Sequence, residues 1–251
     1  AIKLVRTDLN RDTLAGRLLQ EARSAAKLSH PAIVRVFDVG QTELGDPFIV
    51  MELLKGESLA ATLFAAGRLN GVQAVQTLLP IADALSLAHA KGIVHRDVKP
   101  DNVFIVNDQE QVQPKLFDFG IVKVEQIAGN SQLTQVGAVL GSPEYMSPEQ
   151  ARGLEELGHR TDIWSFSVML YEAISGQPPF QSESYNALLR MIVEDTAPSL
   201  DELGFADSTL AAIIARGMEK DPALRWSSMN QLGRALGGWL LAVSYTHLTL
   251  P

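Results

Sequence analysis

Apolar positions divide the chain into a short part rich in predicted strands and a longer helical part. In the first fifty residues, apolar runs at 1–5, 33–37 and 48–51 predict strands. Between the first two, Leu and Ala recur every three or four positions and predict a helix over 12–29. The order is therefore β-α-β-β. After residue 55 the periodic segments lengthen, and the pattern predicts mainly helices.

The longer part begins and ends with predicted helices. They lie at 58–66, 72–91, 161–175, 183–193, 208–218 and 227–241. Residues 121–147 form a long stretch rich in Gly, Ser, Gln and Thr, which is typical of a functional or disordered loop. We therefore predict an α+β fold with a small β-rich lobe, 1–54, and a larger helical lobe, 55–241. Small ligands commonly bind in the cleft between two lobes. Residues 242–251 do not continue the helical pattern, and we expect them to be a non-native tail.

The composition restricts the class of protein more than the activity. Among the 251 residues, 46% are hydrophobic and 20% are charged, as in a soluble globular protein with a core of its own. No apolar run is long enough to span a bilayer, and no cleavable leader opens the chain. The absence of cysteine excludes disulfides and thiolate metal sites. A net charge of −8 disfavours nucleic-acid binding and weakly favours basic partners.

The chemistry concentrates in one polar segment between apolar arms, His95-Arg96-Asp97-Val98-Lys99-Pro100-Asp101-Asn102. A charged cluster of this kind is most often a solvated turn. The complete octet, however, resembles the catalytic loop H-R-D-L-x-x-x-N of protein kinases, with Val98 in place of Leu. The residues around the loop are most similar to the bacterial serine/threonine branch of that family. The resemblance implies a two-lobed kinase fold that transfers the γ-phosphoryl group of Mg-ATP to Ser or Thr hydroxyls of protein substrates.

Phosphoryl transfer needs an aligned nucleophile, bound metal ions and neutralised phosphate charge, and the segment offers a residue for each. Asp97 is suited to accept the proton of the substrate hydroxyl, because a carboxylate is ionised at neutral pH. Lys99 can neutralise charge on the transferred group, and Asn102 offers a neutral oxygen to Mg²⁺. Asp118 opens an Asp-Phe-Gly tripeptide after an apolar strand and is the second predicted Mg²⁺ ligand.

The β-rich part supplies the remaining nucleotide contacts that the resemblance implies. Lys3 ends the tripeptide Ala-Ile-Lys, which resembles the end of the V-A-I-K motif, and its implied ion-pair partner is Glu21. Taken alone, Lys3 would be a flexible terminal lysine and Glu21 a solvated helix residue, so the downstream motifs decide this interpretation. The residues implied to line the adenine pocket are Ala1, Met51, Glu52, Leu54 and Phe117.

Regulation is also implied by the resemblance. Kinases with an Arg beside the catalytic Asp, here Arg96, are commonly activated by a phosphate in the segment that follows Asp-Phe-Gly. Thr134 is the first candidate phosphosite and Ser131 the second, although Ser and Thr are frequent in any loop. Ser142 stands where the family usually carries Thr, and its hydroxyl is expected to reach Asp97 and Lys99.

Several structural contacts follow from the same resemblance. Asp162 is expected to accept backbone N–H groups near His95, and Glu149 is expected to pair with Arg225. The residues expected to stack as a regulatory spine are Ala25, Val36, Phe119 and His95.

Two departures from the family pattern leave alternatives open. Ser167 replaces the usual Gly, and we expect a small packing cost. The Gly-rich loop and the first two strands of the small lobe are absent before Lys3, so we expect a fragment of a longer kinase. A pseudokinase or scaffold with the same fold, or a small-molecule kinase, is the alternative. The resemblance predicts a cytoplasmic domain and allows a homodimer for phosphorylation between copies, with any membrane anchor outside this stretch.

Overall fold

The computed structural model describes residues 1–4, 26–43, 45–108, 111–119 and 142–248. In the small lobe, Ile2–Leu4 (β1), Val36–Gln41 (β2) and Pro47–Met51 (β3) form an antiparallel sheet in the order β1-β3-β2. Lys3 lies opposite Ile49, which is buried, whereas Ile2 and Leu4 are exposed. Because directly opposed residues share one face of a sheet, β1 directs Lys3 inward and its apolar neighbours toward solvent.

The segment before β2 differs from its prediction. The strand predicted over 33–37 begins only at Val36, and Ile33 forms an isolated parallel bridge with Leu116. Residues 12–25 of the predicted helix lie outside the described residues, while 26–29 form a turn and irregular backbone. Pro31 contributes to the irregular backbone before it. The residue that precedes a proline, here residue 30, is disfavoured in helical conformation.

A second antiparallel sheet brings two loops of the predicted site together. Its strands are Gly56–Ser58 (β4), Val103–Asp108 (β5) and Gln111–Leu116 (β6), in the order β4-β5-β6. Val103 pairs with Leu116, so the residue before β5 and the residue after β6 are neighbours. Consistent with this register, the Phe117 N–H donates to the Asn102 carbonyl at 3.1 Å. The hairpin therefore positions Asn102 beside the segment that carries Asp118.

The described helices agree closely with the sequence pattern, apart from the short helix Pro148–Ala151, which was not predicted, and the end of the last helix. They are Leu59–Ala66 (α1), Gly71–Ala90 (α2), Pro148–Ala151 (α3), Arg160–Ser175 (α4), Tyr185–Glu194 (α5), Ser208–Gly217 (α6) and Met229–Leu248 (α7). The prediction that the helical pattern stops at residue 241 is wrong, because α7 continues to Leu248. An existing helix extends at little cost through residues without Gly or Pro, and none occurs between Leu240 and Leu248.

Helix α4 lies at the centre of the larger lobe. Its side chains are buried almost all round, including Trp164, Phe166 and the charged Asp162. A helix without a polar face is buried within its domain, and here α2, α6 and α7 pack around it. Among the residues described, no helix is long and apolar enough to cross a membrane.

The departure at Ser167 is accommodated by a glycine on the neighbouring helix. The Ser167 hydroxyl donates to the Ile163 carbonyl at 2.8 Å within α4. It faces Gly217 of α6, where an added Cβ would lie 1.9 Å from the Ser167 Oγ atom. The extra side chain of Ser167 therefore occupies space that Gly217 leaves open, and the close approach of α4 and α6 depends on both residues.

Candidate active site

The predicted catalytic loop, residues 95–102, brings three side chains together, those of Asp97, Lys99 and Asn102. Asn102 donates through Nδ2 to the Asp97 carbonyl at 2.8 Å and to Asp97 Oδ2 at 2.9 Å. Lys99 Nζ lies 3.2 Å from the same carboxylate oxygen. Because both partners of the Asn102 amide are acceptors, its nitrogen must face Asp97 and its Oδ1 atom points away. The arrangement orients the Asp97 carboxylate and presents one neutral oxygen of Asn102.

The Asp162 carboxylate binds the backbone of the catalytic loop near His95, as predicted. Its carboxylate accepts the Arg96 N–H at 2.7 Å and the His95 N–H at 2.8 Å, and His89 Nε2 donates to it at 2.7 Å. Arg96 has a φ of 65°, a left-handed conformation that is uncommon for a residue other than Gly. The two backbone hydrogen bonds to Asp162 thus stabilise a strained turn directly before Asp97. Burial alone would raise the pKa of Asp162, but these donors outweigh it and the pKa is lowered.

His95 connects the catalytic loop to the segment of Asp118. Burial lowers the pKa of His95, so the ring is neutral. Its Nε2 atom lies 3.0 Å from the Phe117 carbonyl and must donate, while its Nδ1 atom accepts the Asp97 N–H at 3.2 Å. The ring of Phe119 packs against the ring of His95 with centroids 4.7 Å apart. The predicted contact between Phe119 and His95 is therefore confirmed; Ala25, their predicted partner, lies outside the described residues.

Lys3 reaches across from the small lobe to Asp118. Its ammonium group forms an ion pair with the Asp118 carboxylate. Asp118 has a φ of 61°, the second left-handed non-glycine residue of the described chain. The partner predicted for Lys3, Glu21, lies outside the described residues. The structure thus brings Lys3 to the predicted metal ligand.

The donor set fits a hard cation such as Mg²⁺. Asn102 offers a neutral oxygen and Asp118 a carboxylate that already faces a positive charge, the ammonium of Lys3. Within the described part of the chain, no three His, Asp or Glu side chains group as a metal site. Asn102 and Asp118 are the residues that would hold a Mg²⁺ ion, and the ion would supply positive charge to nearby phosphate groups.

The residues predicted to surround adenine come from three segments. Met51 ends β3, and Glu52 and Leu54 follow it in the connection between the lobes, whereas Ala1 precedes β1 and Phe117 follows β6. The Met51 N–H donates to the Ala1 carbonyl at 2.9 Å, and the Ala1 nitrogen donates to the Met51 carbonyl at 2.6 Å. Glu52 follows, and its N–H donates to the Arg35 carbonyl at 3.0 Å. Leu54 is half-buried at the end of the small lobe. Their contacts with a nucleotide remain predictions.

The end of the predicted activation segment, the residues that follow Asp-Phe-Gly up to Glu149, is fixed to the larger lobe. Ser147 and Gln150 form a reciprocal capping box at the start of α3, and Gln150 Nε2 donates to the Arg96 carbonyl at 2.9 Å. The predicted pair of Glu149 and Arg225 is confirmed, with two hydrogen bonds of 2.8 Å between guanidinium and carboxylate. Both contacts connect this segment directly to the catalytic loop or to the core.

The predicted regulatory residues are only partly described. Ser142 lies directly before the 3₁₀ turn Pro143–Tyr145. Its contact with Asp97 and Lys99 stays a prediction. Thr134 and Ser131 lie outside the described residues.

Three residues with structural roles at the site were not predicted. His89, in the last turn of α2, was not singled out in the sequence, yet it donates to Asp162. Gln150 binds the Arg96 carbonyl, and the Ser-x-x-Gln spacing could have indicated its capping role but not this contact. Lys115 Nζ donates to Glu52 Oε1 at 2.7 Å, a contact between distant parts of the chain that no local pattern signals.

Comparison with known proteins identifies the family. The protein kinase domain profile matches residues 1–235. The chain is 36% identical to the probable serine/threonine-protein kinase PknB of Corynebacterium glutamicum, over 94% of this chain and 37% of that protein. It is 35% identical to the serine/threonine-protein kinase PknB of Mycobacterium tuberculosis, over 92% of this chain and 37% of that protein. The chain therefore spans little more than a third of the length of these relatives.

A solved structure supports the same fold independently. The crystal structure of a double mutant of the Mycobacterium tuberculosis PknI kinase domain superposes with a TM-score of 0.71 and 23% sequence identity. The superposition covers 95% of this chain and 84% of the PknI chain, so it includes both lobes. The match of the family profile to residues 1–235 shows that the chain belongs to the protein kinase domain family, and the superposition shows the same fold.

Proposed function

We propose that this chain is the catalytic domain of a serine/threonine protein kinase that transfers the γ-phosphoryl group of Mg-ATP to hydroxyls of protein substrates. The observation that carries the proposal is the convergence of Asp97, Lys99 and Asn102 in hydrogen-bonding distance, beside the segment of Asp118. The names of the relatives from Corynebacterium and Mycobacterium support the same activity.

In the proposed mechanism, Asp97 orients the substrate hydroxyl and accepts its proton. Asn102 Nδ2 holds Asp97 Oδ2 at 2.9 Å, which restricts the carboxylate to one orientation. Lys99 Nζ adds a positive charge 3.2 Å from the same oxygen, where negative charge on the transferred group would be stabilised. Both effects come from side chains that are in place before a substrate binds.

Asn102 and Asp118 are the proposed ligands of Mg²⁺, and Lys3 is the proposed partner of the ATP phosphates. Bound Mg²⁺ would supply positive charge that neutralises negative charge on the ATP phosphates and on the leaving group. Lys3 pairs with Asp118 in the structure. We propose that Lys3 exchanges this carboxylate for the phosphates when Asp118 takes up the cation, so that neither charge loses its partner. Backbone groups of Glu52 and Leu54 are the proposed adenine contacts, between Ala1, Met51 and Phe117.

Regulation by phosphorylation of the activation segment is the finer part of the proposal. A phosphate on Thr134, or on Ser131, would pair with the guanidinium of Arg96, whose backbone lies in the turn before Asp97. Ser142 would contact the substrate side of Asp97 and Lys99. Phosphorylation between two copies of the chain, as a transient homodimer, is one route to that state.

The chemical identity of the phosphorylated residue tests the proposal. The chain is incubated with Mg-ATP and a generic basic protein, with EDTA added to a parallel sample, and the acid hydrolysate is analysed for phosphoamino acids. Phosphoserine or phosphothreonine that depends on Mg²⁺ is expected. Phosphotyrosine alone would contradict the assigned specificity, whereas nucleotide binding without any phosphoamino acid would favour a pseudokinase.

A further inference from the structure

The carboxylate of Glu52 joins three segments that are distant in sequence. Its Oε1 atom accepts the Arg35 N–H at 2.8 Å and the Lys115 ammonium at 2.7 Å. The Glu52 N–H donates in return to the Arg35 carbonyl at 3.0 Å. The side chains of Lys115 and Glu52 are only 14% and 25% exposed, so solvent screens this ion pair less than a surface pair. Glu52 is thus held through both its backbone and its side chain.

Lys115 belongs to β6, which is itself bonded to the same small-lobe segment. The Leu116 N–H donates to the Ala32 carbonyl at 2.8 Å, and the Val34 N–H donates to the Leu116 carbonyl at 2.9 Å. Residues 32–35 therefore lie between β6 and the connection that contains Glu52. Lys115 is the side chain of β6 that reaches past this segment to Glu52. Lys115 lies three residues before Asp118, so β6 and the residues that directly follow it carry both groups.

We infer that Lys115 is a positioning residue for the nucleotide, because it fixes the backbone of Glu52 relative to the strand that leads to Asp118. The inference rests on the proposed function, which assigns the adenine contact to the backbone of Glu52 and the metal contact to Asp118. These two groups would bind opposite ends of ATP. The ion pair of Lys115 and Glu52 keeps them at a constant separation, so its loss weakens the binding of a ligand that must reach both.

The residues proposed for chemistry do not depend on this ion pair. Asp97 is held by Asn102 and by the ring of His95, and the loop is held by Asp162. Loss of the Lys115 ammonium should therefore raise the KM for ATP and leave kcat and the KM for the protein substrate nearly unchanged. A substitution that weakens only the binding of the nucleotide raises KM and leaves kcat unchanged, and we expect a rise of about tenfold in the KM for ATP.

The experiment compares Lys115→Met with the matched control Lys91→Met. Lys91 is likewise a lysine of the larger lobe that contacts the small lobe, but its partner is the Lys27 carbonyl, at 3.1 Å, and not Glu52. For each variant, KM for ATP, kcat and the thermal midpoint are measured, together with Kd for Mg-ADP. Lys115→Arg should restore the KM because it keeps the positive charge. Glu52→Gln, which retains an acceptor for the Arg35 N–H, should raise the KM in the same direction.

Each outcome bears on the inference. A selective rise in KM and Kd for Lys115→Met and Glu52→Gln, with Lys91→Met like the wild type, supports it. Unchanged nucleotide affinity, or a parallel loss of kcat in both lysine variants, overturns it. If Lys115→Met does not fold, Glu52→Gln decides by the same criterion. A wild-type chain that neither binds Mg-ADP nor transfers phosphate refutes the proposed function itself, and the inference with it; this result is recognised without any variant.

Discussion

The buried ion pair of Arg225 and Glu149 should be the most sensitive single contact in the larger lobe. The Arg225 side chain is fully buried, and all five of its N–H groups have acceptors. Two bonds of 2.8 Å go to the Glu149 carboxylate, and the others go to the carbonyls of Glu219 at 2.7 Å, Arg160 at 2.9 Å and Lys220 at 3.3 Å. Arg225→Leu removes all five hydrogen bonds and places an apolar side chain in the site.

The magnitude follows from what the substitution leaves behind. The Glu149 side chain is only 10% exposed, and without Arg225 its remaining side-chain donor is the Thr161 hydroxyl at 2.8 Å. Removal of one member of a buried pair typically costs about 3–5 kcal/mol, because the other charge stays buried without compensation. For a domain of this size, that corresponds to a fall in Tm of about 10 °C.

The assay is thermal and urea unfolding of Arg225→Leu, Arg225→Lys, Glu149→Gln and the double variant Arg225→Leu with Glu149→Gln. Arg225→Lys should recover part of the loss, since an ammonium has a charge but fewer donors than the guanidinium. The double variant should be more stable than the sum of the single effects predicts, because it leaves no unpaired charge. A loss below about 1 kcal/mol for Arg225→Leu, or strictly additive effects in the double variant, would refute the reasoning.

Three further expectations concern the same lobe. Burial alone would raise the pKa of Glu149, but its hydrogen bonds lower it below the ordinary 4.5. The stabilisation that the Glu149 carboxylate gives is therefore complete above about pH 4.5 and is lost as the pH falls through the lowered pKa. Urea unfolding between about pH 3 and 7 should show this loss of stability, and the loss should be smaller in Glu149→Gln. Gly217→Ala should destabilise by about 1–3 kcal/mol, since the new Cβ would meet Ser167, and Ser167→Gly should rescue it. Gly238→Ala, which has open space, should be neutral or stabilising in the same thermal scan. Asp162→Asn should lower kcat and reduce the free energy of unfolding in urea by about 3 kcal/mol, because an amide cannot accept hydrogen bonds from all three donors. An Asp162→Asn variant with wild-type kcat would contradict the anchoring role of Asp162.

Local patterns predicted most of the larger lobe and the composition of the site. Asp97, Lys99 and Asn102 lie within six residues, so one turn brings them together. Helix α4 was predicted because it is long and apolar, and its Asp162 contacts the catalytic loop as expected. These successes share a cause: helix periodicity and loop motifs are determined over a few neighbouring residues.

Contacts between distant segments were the part that the pattern could not supply. Lys115 and Glu52 are 63 positions apart and meet only because β6 and the connection to the larger lobe flank one segment. Lys3 contacts Asp118 at a separation of 115 positions, whereas its predicted partner Glu21 lies outside the described residues. Periodicity also cannot register that Gly217 makes room for Ser167, because this depends on the crossing of two helices.

The role of Asp97 in phosphoryl transfer is the central claim, and one assay tests it most directly. It measures the transfer of labelled γ-phosphate from Mg-ATP to a basic protein by the wild type, Asp97→Asn and Asp101→Asn. Asp101 lies in the same loop and is exposed, so its variant controls for loss of charge without loss of the proposed base. We predict transfer by the wild type and by Asp101→Asn, and a loss of at least about a hundredfold for Asp97→Asn. Equal rates for Asp97→Asn and the wild type would contradict the role assigned to Asp97 and, with it, the proposed site.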